Sequence, residues 1–147
     1  MPVMSLGHAV LKVRKLERSL EFYRDVLGFK EVARLGEKMV FLSAGKDHHD
    51  LALMEAGPGA PAPEADAIGL AHLAFKVGDS LAELQQMKQK FEQAGYSIVG
   101  ISDHKVSKSV YLLDPDGLGV EVYIDENPSI WKEDPTSVAT VRPFHLD

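Results

Sequence analysis

The chain has no cysteine. That absence excludes disulfides, zinc–thiolate sites, iron–sulfur clusters and cysteine nucleophiles. It also lacks any apolar run near the roughly 18–20 residues of a membrane span. The opening residues, MPVMSLGHAV, carry neither a basic n-region nor a long apolar h-region. No membrane association is expected, and a cytoplasmic location is. Basic residues are in deficit: 16 Lys and Arg stand against 22 Asp and Glu, a net charge of −6. Nucleic-acid binders normally present a basic face, so that class is disfavoured. Mild acidity does not itself select a cationic partner; it mostly serves solubility. What remains is 147 residues, 45% apolar and 26% charged, the profile of one ordinary globular domain. Six histidines are present. Without cysteine, any metal must be held by imidazole and carboxylate.

Organisation along the chain shows a repeat. Residues 6–13, LGHAVLKV, alternate and read as a strand. Leu16, Leu20, Tyr23 and Leu27 then follow helical spacing, with Phe22 and Val26 beside them and Gly28 as the stop. Strands are expected at about 29–35, 38–43 and 49–55. The stretch AGPGAPAPEADA at 56–67 is too rich in Gly, Pro and Ala for regular structure and reads as a linker. The pattern then restarts. Gly7-His8-Ala9-Val10-Leu11-Lys12-Val13 aligns with Ala71-His72-Leu73-Ala74-Phe75-Lys76-Val77. A helix at about 80–94 carries the stripe Leu81, Leu84, Met87, Lys88 and Phe91, and Gly95 stops it. Strands at about 96–102, 108–113 and 118–125 complete the second copy. The fold class is therefore α+β, with two tandem βαβββ modules. A single module cannot bury its sheet alone, so two must pair. Module one spans about 4–56, the linker 57–67, module two 68–125 and the tail 126–147, all within one domain 1–147. The tail holds the only tryptophan, Trp131, and is expected to cover a surface or rim.

Four of the histidines attract a chemical reading. His8 and His72 hold equivalent places in the two copies. A lone strand histidine among apolar neighbours is usually a hydrogen-bonded core residue. Two at matching repeat positions fit a pair entering one cavity from first strands related by pseudo-twofold symmetry. Glu121 lies in GVEVYID, where alternation separates Val120, Val122 and Ile124 from Glu121 and Tyr123. Two histidines and one carboxylate leave positions open on Fe(II) for substrate and oxygen, and they suit other divalent ions too. In His48-His49-Asp50, period two groups His49 with Leu51, Leu53 and Glu55, so His49 looks inward and His48 outward. Glu55 then stands as an alternative fourth ligand. His104 lies in the loop Ser102–Ser107, a position usually open to solvent, ahead of the strand aromatic Tyr111. Asp114-Pro115-Asp116-Gly117 is a hairpin turn: proline fixes φ and glycine allows positive φ. His48 and His145 are read as ordinary surface residues.

Together these residues resemble the vicinal oxygen chelate superfamily, which includes glyoxalase I, fosfomycin-resistance transferases, bleomycin-binding proteins and type I extradiol dioxygenases. GHAVLKVRKLERSLEFYRDVLGF is similar to the superfamily's opening and says little about function. The segment from His104 through Tyr111 to DPDGLGVEVYID is similar to the signature of the extradiol catechol 2,3-dioxygenases, with Val110, Tyr111, Asp114, Pro115, Gly117 and Glu121 in place and Ser102 departing from it. Many such enzymes carry two pairs of modules; this chain has one. The resemblance implies His8, His72 and Glu121 as ligands of Fe(II), with Mn(II) or another divalent metal as substitutes. It implies His49 near the oxygen side, and His104 and Tyr111 beside a bound catecholate. The partners it implies are a catechol-like diol and O2. The expected assembly is a homodimer or higher homo-oligomer, with the two modules forming a cleft within one chain or exchanging between chains. Two rival readings are a glyoxalase-type isomerase or lyase on Ni(II), Zn(II) or Mn(II), which needs Glu55, and a metal-free module that sequesters an antibiotic.

Overall fold

A computed structural model describes residues 1–147. The chain divides into two compact units, Met1–Ala67 and Ile68–Asp147. No helix is long and apolar enough to cross a membrane.

The first unit runs β1 (Ala9–Val13), α1 (Leu16–Leu20), a π-helical turn (Glu21–Val26), β2 (Lys30–Leu35), β3 (Met39–Ser43) and β4 (Leu51–Glu55). Its four strands form one mixed sheet in the order β1-β4-β3-β2, with β1 parallel to β4 and the other pairs antiparallel. Helical spacing places Leu16, Leu20, Tyr23 and Leu27 inward; Leu16, Leu20 and Tyr23 are buried, and Leu27 is only half-buried. Across the wider turn that follows, closed by Leu27 N–H donating to Phe22 O at 2.9 Å, Phe22 lies in the core together with Tyr23. Their rings meet edge to face at 4.9 Å. Burying side chains of this size contributes about 1.5–3 kcal/mol each. They share the core with the sheet residues Leu11, Val13, Val40, Leu42, Leu51 and Leu53.

The second unit repeats the order: β5 (His72–Gly78), α2 (Leu81–Gln93), β6 (Ile98–Asp103), β7 (Ser107–Leu113) and β8 (Gly119–Asp125). Beyond the repeat come α3 (Ser129–Glu133), a 3-10 turn (Pro135–Ala139) and a two-residue strand, β9 (Arg142–Pro143). The sheet order is β5-β8-β7-β6-β9, so the tail adds a strand to the edge of the module. Helix α2 starts on a capping box: Ser80 Oγ accepts from the Glu83 N–H, and the Glu83 carboxylate accepts from the Asp79 N–H and the Ser80 hydroxyl. Leu84 and Phe91 are its fully buried residues, whereas Leu81, expected in the stripe, is exposed at the first turn. Val110, Leu112, Val120, Val122 and Ile124 supply the buried face of the sheet.

Candidate metal and substrate site

In the second unit the candidate site residues His72, Tyr111 and Glu121 come from the face of the sheet opposite that core. Register fixes this: Ala74 and Tyr111 lie directly across from Glu121, and His72 lies across from Gly119. The His72 Nε2 sits 2.9 Å from Glu121 Oε2. The other carboxylate oxygen, Oε1, accepts from the Ser109 hydroxyl at 2.5 Å. Glu121 is 8% exposed, so its oxygens have little access to water and depend on these partners. Gly119 makes the arrangement possible. A Cβ there would lie 2.6 Å from the Ala71 carbonyl oxygen and 3.0 Å from the His72 Cβ.

His104 follows β6 in a tight turn. Its N–H donates to Ser107 O at 2.9 Å, and Lys105 takes a left-handed φ of 69°. The turn aims the ring back over the sheet, so it is not the solvent-facing loop residue that its position suggests. Its Nε2 lies 2.6 Å from Tyr111 Oη and its Nδ1 lies 2.9 Å from the Thr140 carbonyl oxygen. Tyr111 also presents its ring edge-on to His72, at 5.8 Å and 90°. Burial pushes the Tyr111 phenol up to about 12, and the Glu121 carboxylate beside it acts in the same direction. The hydroxyl therefore stays protonated at neutral pH. A cavity of about 210 Å³ is lined by His104, Val106, Ser107, Tyr111, Glu121 and Val138.

The first unit brings His8 and His49 together. Their rings stack at 4.3 Å with a 41° tilt, and His49 meets Phe41 edge-on at 5.5 Å. Partial burial, then the neighbouring His8 and His48 imidazoles, hold His49 below the ordinary imidazole range. His48 is exposed, but its Nδ1 lies 2.6 Å from His49 Nδ1. The grouping of His49 with Leu51, Leu53 and Glu55 is corrected. Strand β4 begins at Leu51, so alternation does not extend back to His49. Its ring joins Phe41, which pairs with Ala52. Glu55 instead pairs with buried Val13, on the helix-facing side, and its Oε2 accepts the Leu16 amide at 2.9 Å. One carboxylate oxygen thus serves the start of α1, where an anion also meets the helix dipole. His145 is exposed.

Of the three ligands that the family resemblance implies, His8 lies in the first unit and His72 and Glu121 lie in the second. Within neither unit do three His, Asp or Glu side chains gather as a ligating group. The donors themselves suit a divalent ion of intermediate hardness, imidazole nitrogen plus carboxylate oxygen. The 2.9 Å separation of His72 Nε2 and Glu121 Oε2 is that of a hydrogen bond, and both groups could turn from each other to a shared ion. The Ser109 hydroxyl holds one Glu121 oxygen, an arrangement that would orient the carboxylate if it held an ion.

Residues 5–122 match the Glyoxalase/Bleomycin resistance protein/Dioxygenase superfamily. The chain belongs to this superfamily. Among its relatives, a catechol-2,3-dioxygenase of Bacillus subtilis (strain 168) is 38% identical over 130 residues, covering 88% of this chain and 44% of that protein. Biphenyl-2,3-diol 1,2-dioxygenase 3 of Rhodococcus globerulus is 35% identical over 124 residues, covering 82% of this chain and 63% of that one. The glutathione transferase FosA of Serratia marcescens is 31% identical over 122 residues, covering 83% and 82%. This superfamily chain thus spans about half to two thirds of the two dioxygenases and most of the transferase.

Sequence reasoning passed over six residues that line the cavity or brace its residues: Val106, Ser107, Ser109, Gly119, Val138 and Thr140. Ser109 was within reach, since it lies two residues before Tyr111 on one strand and so shares its face. Nothing in the pattern marks Val138 or Thr140, because they arrive through the irregular tail.

Proposed function

We propose that the chain is an extradiol-type dioxygenase acting on a catechol-like vicinal diol with O2, with Fe(II) or Mn(II) held by His8, His72 and Glu121. The observation that carries this reading is the Tyr111–His104 hydrogen bond beside the His72–Glu121 pair, on one face of one sheet. A glyoxalase-type reaction gives Tyr111 and His104 no comparable task. A bound divalent metal would supply Lewis acidity that lowers the pKa of a coordinated diol hydroxyl and brings the reactants together.

The remaining steps belong to the chain's own side chains. His104 Nδ1 faces a carbonyl oxygen, which only accepts, so in the neutral ring that nitrogen carries the proton and Nε2 is the acceptor. Tyr111 Oη donates to Nε2 and can take a proton from a diol oxygen in the cavity, passing its own to His104. The imidazolium so formed keeps its Nδ1–H on Thr140 O. Tyr111, protonated at neutral pH, stays available to donate to the substrate oxygen. Glu121 is kept in place by Ser109. His49, held neutral at pH 7, is a second acceptor for protons.

A second reading, a metal-dependent glutathione transferase, draws support from the extent of the match to FosA, 82% of that protein. The glyoxalase-type alternative is weakened by the engagement of Glu55 with Leu16. Iron-loaded protein incubated aerobically with a broad panel of catechols separates these readings. The dioxygenase reading predicts O2 uptake and a yellow semialdehyde product with at least one diol. O2 uptake with none, together with metal-dependent loss of glutathione thiol in the presence of an electrophile, would favour the transferase. Protein purified without chelator and free of stoichiometric metal would favour the binding module.

A further inference from the structure

The tail after Asp125 stands outside the βαβββ repeat, yet it reaches the cavity. Strand β9 pairs antiparallel with β6, Ser102 against Pro143 and Asp103 against Arg142. The Arg142 guanidinium donates to the Asp103 carboxylate at 3.2 Å, and Lys108 lies 5.6 Å from the Phe144 ring centroid. Between Asp134 and β9, the 3-10 turn buries Ser137 to 3% exposure. The turn leaves Val138 on the cavity wall and Thr140 with its carbonyl 2.9 Å from His104 Nδ1.

We propose that this segment, residues 134–143, is a positioning element of the site: the Thr140 carbonyl holds His104 in its Nδ1–H tautomer and so presents Nε2 to Tyr111, while Val138 forms a wall of the cavity. A carbonyl oxygen cannot donate, so a neutral His104 facing it must carry its proton on Nδ1. A neutral imidazole free in water favours the other tautomer, with the proton on Nε2. That form would put an N–H where Tyr111 needs an acceptor, and the phenol would lose the partner to which it donates. The tail thus selects which ring nitrogen faces the cavity, a choice set by the hydrogen bond at the other nitrogen. The consequence for proton movement rests on the dioxygenase reading; the tautomer itself does not.

The test is long-range proton–nitrogen NMR of the full-length, nitrogen-15-labelled chain, with the His104 signals assigned from their loss in His104→Gln. The expected result is a protonated Nδ1 and a bare Nε2. Tyr111→Phe should keep that pattern, because the carbonyl and not the phenol sets it. Ser137→Glu, which forces a charge into the buried turn, should unseat the tail and move His104 towards the Nε2–H form; Ser137→Ala should not. Nε2–H in the wild-type chain, or a switch to it in Tyr111→Phe, overturns the proposal. So does an unchanged Nδ1–H pattern in a folded Ser137→Glu chain whose tail amides have lost protection. Should Ser137→Glu fail to fold, the wild-type and Tyr111→Phe spectra decide. A chain that shows the Nδ1–H pattern but takes up no O2 with any diol sinks the dioxygenase reading and leaves the tail's role standing.

Discussion

Replacing Ser109 with alanine removes one oxygen atom, and its effect can be worked out from two directions. The Ser109 hydroxyl is fully buried and donates to Glu121 Oε1 at 2.5 Å. A hydrogen bond to a charged acceptor contributes about 1.5–3 kcal/mol. Outer-shell partners of ligating carboxylates, when removed, typically cost about 10–100-fold in metal affinity, which at about 1.4 kcal/mol per tenfold is about 1.4–2.8 kcal/mol. The two ranges overlap, so Ser109→Ala should weaken divalent metal binding by about one to two orders of magnitude. Saturating metal should restore most of the turnover, because Glu121 Oε2 and the His72 ring are untouched. The assay is competition of Fe(II) or Mn(II) against a chromophoric chelator, followed by turnover at two metal concentrations. Metal affinity within twofold of wild type would refute this assignment of Ser109. So would a turnover defect that excess metal leaves unchanged.

Other variants probe separate parts of the account. Gly119→Ala must displace either β8 or the Ala71–His72 backbone; a loss of about 1–3 kcal/mol is expected from overpacking, read as a lower denaturation midpoint together with weaker metal binding. Glu55→Gln should leave metal content unchanged and cost about 0.3–1 kcal/mol, because the amide oxygen still accepts the Leu16 N–H and only the charge at the start of α1 is lost; loss of metal would restore Glu55 as a ligand. Tyr111 ionises near 12 in the folded chain and near 10 unfolded. The folded pKa is the higher one, so the contribution is full below pH 10 and is lost as pH rises to about 12. Tyr111→Phe should therefore flatten the fall in stability across that alkaline window, measured by denaturation at stepped pH.

Much of this architecture is legible in the residues. The offset repeat locates both first strands, but β1 begins only at Ala9, so His8 lies just before its strand whereas His72 opens β5; β2, β3, α2, β7 and β8 fall within a few residues of their expected bounds. Glycines 28 and 95 stop the helices with the expected positive φ. Three things escape the pattern for physical reasons. A π-helical turn is invisible to 3.6-residue periodicity, which puts Phe22 only beside the apolar face, yet across that turn Phe22 is buried together with Tyr23. Alternation holds only inside a strand, so His49, two residues before β4, does not obey it. The tail's contribution to the cavity depends on β9 pairing with β6, a long-range contact of two residues with no strand signal. Within the site, Glu121 and Tyr111 share a face because they lie opposite each other on β8 and β7. That relation follows from strand register, which a hairpin turn at Asp114–Gly117 pins.

The central claim is that His8, His72 and Glu121 would hold a divalent metal, that the chain cleaves the ring of a catechol-like diol with O2, and that Tyr111 and His104 handle the proton. Isotopically labelled O2 supplied to the iron-loaded chain with the most reactive catechol tests it most directly. The account predicts one O2 consumed per diol, both labelled oxygen atoms in the ring-opened product, and loss of that product in Glu121→Ala. O2 consumption without label in the product, or an equal yield from Glu121→Ala, would contradict it.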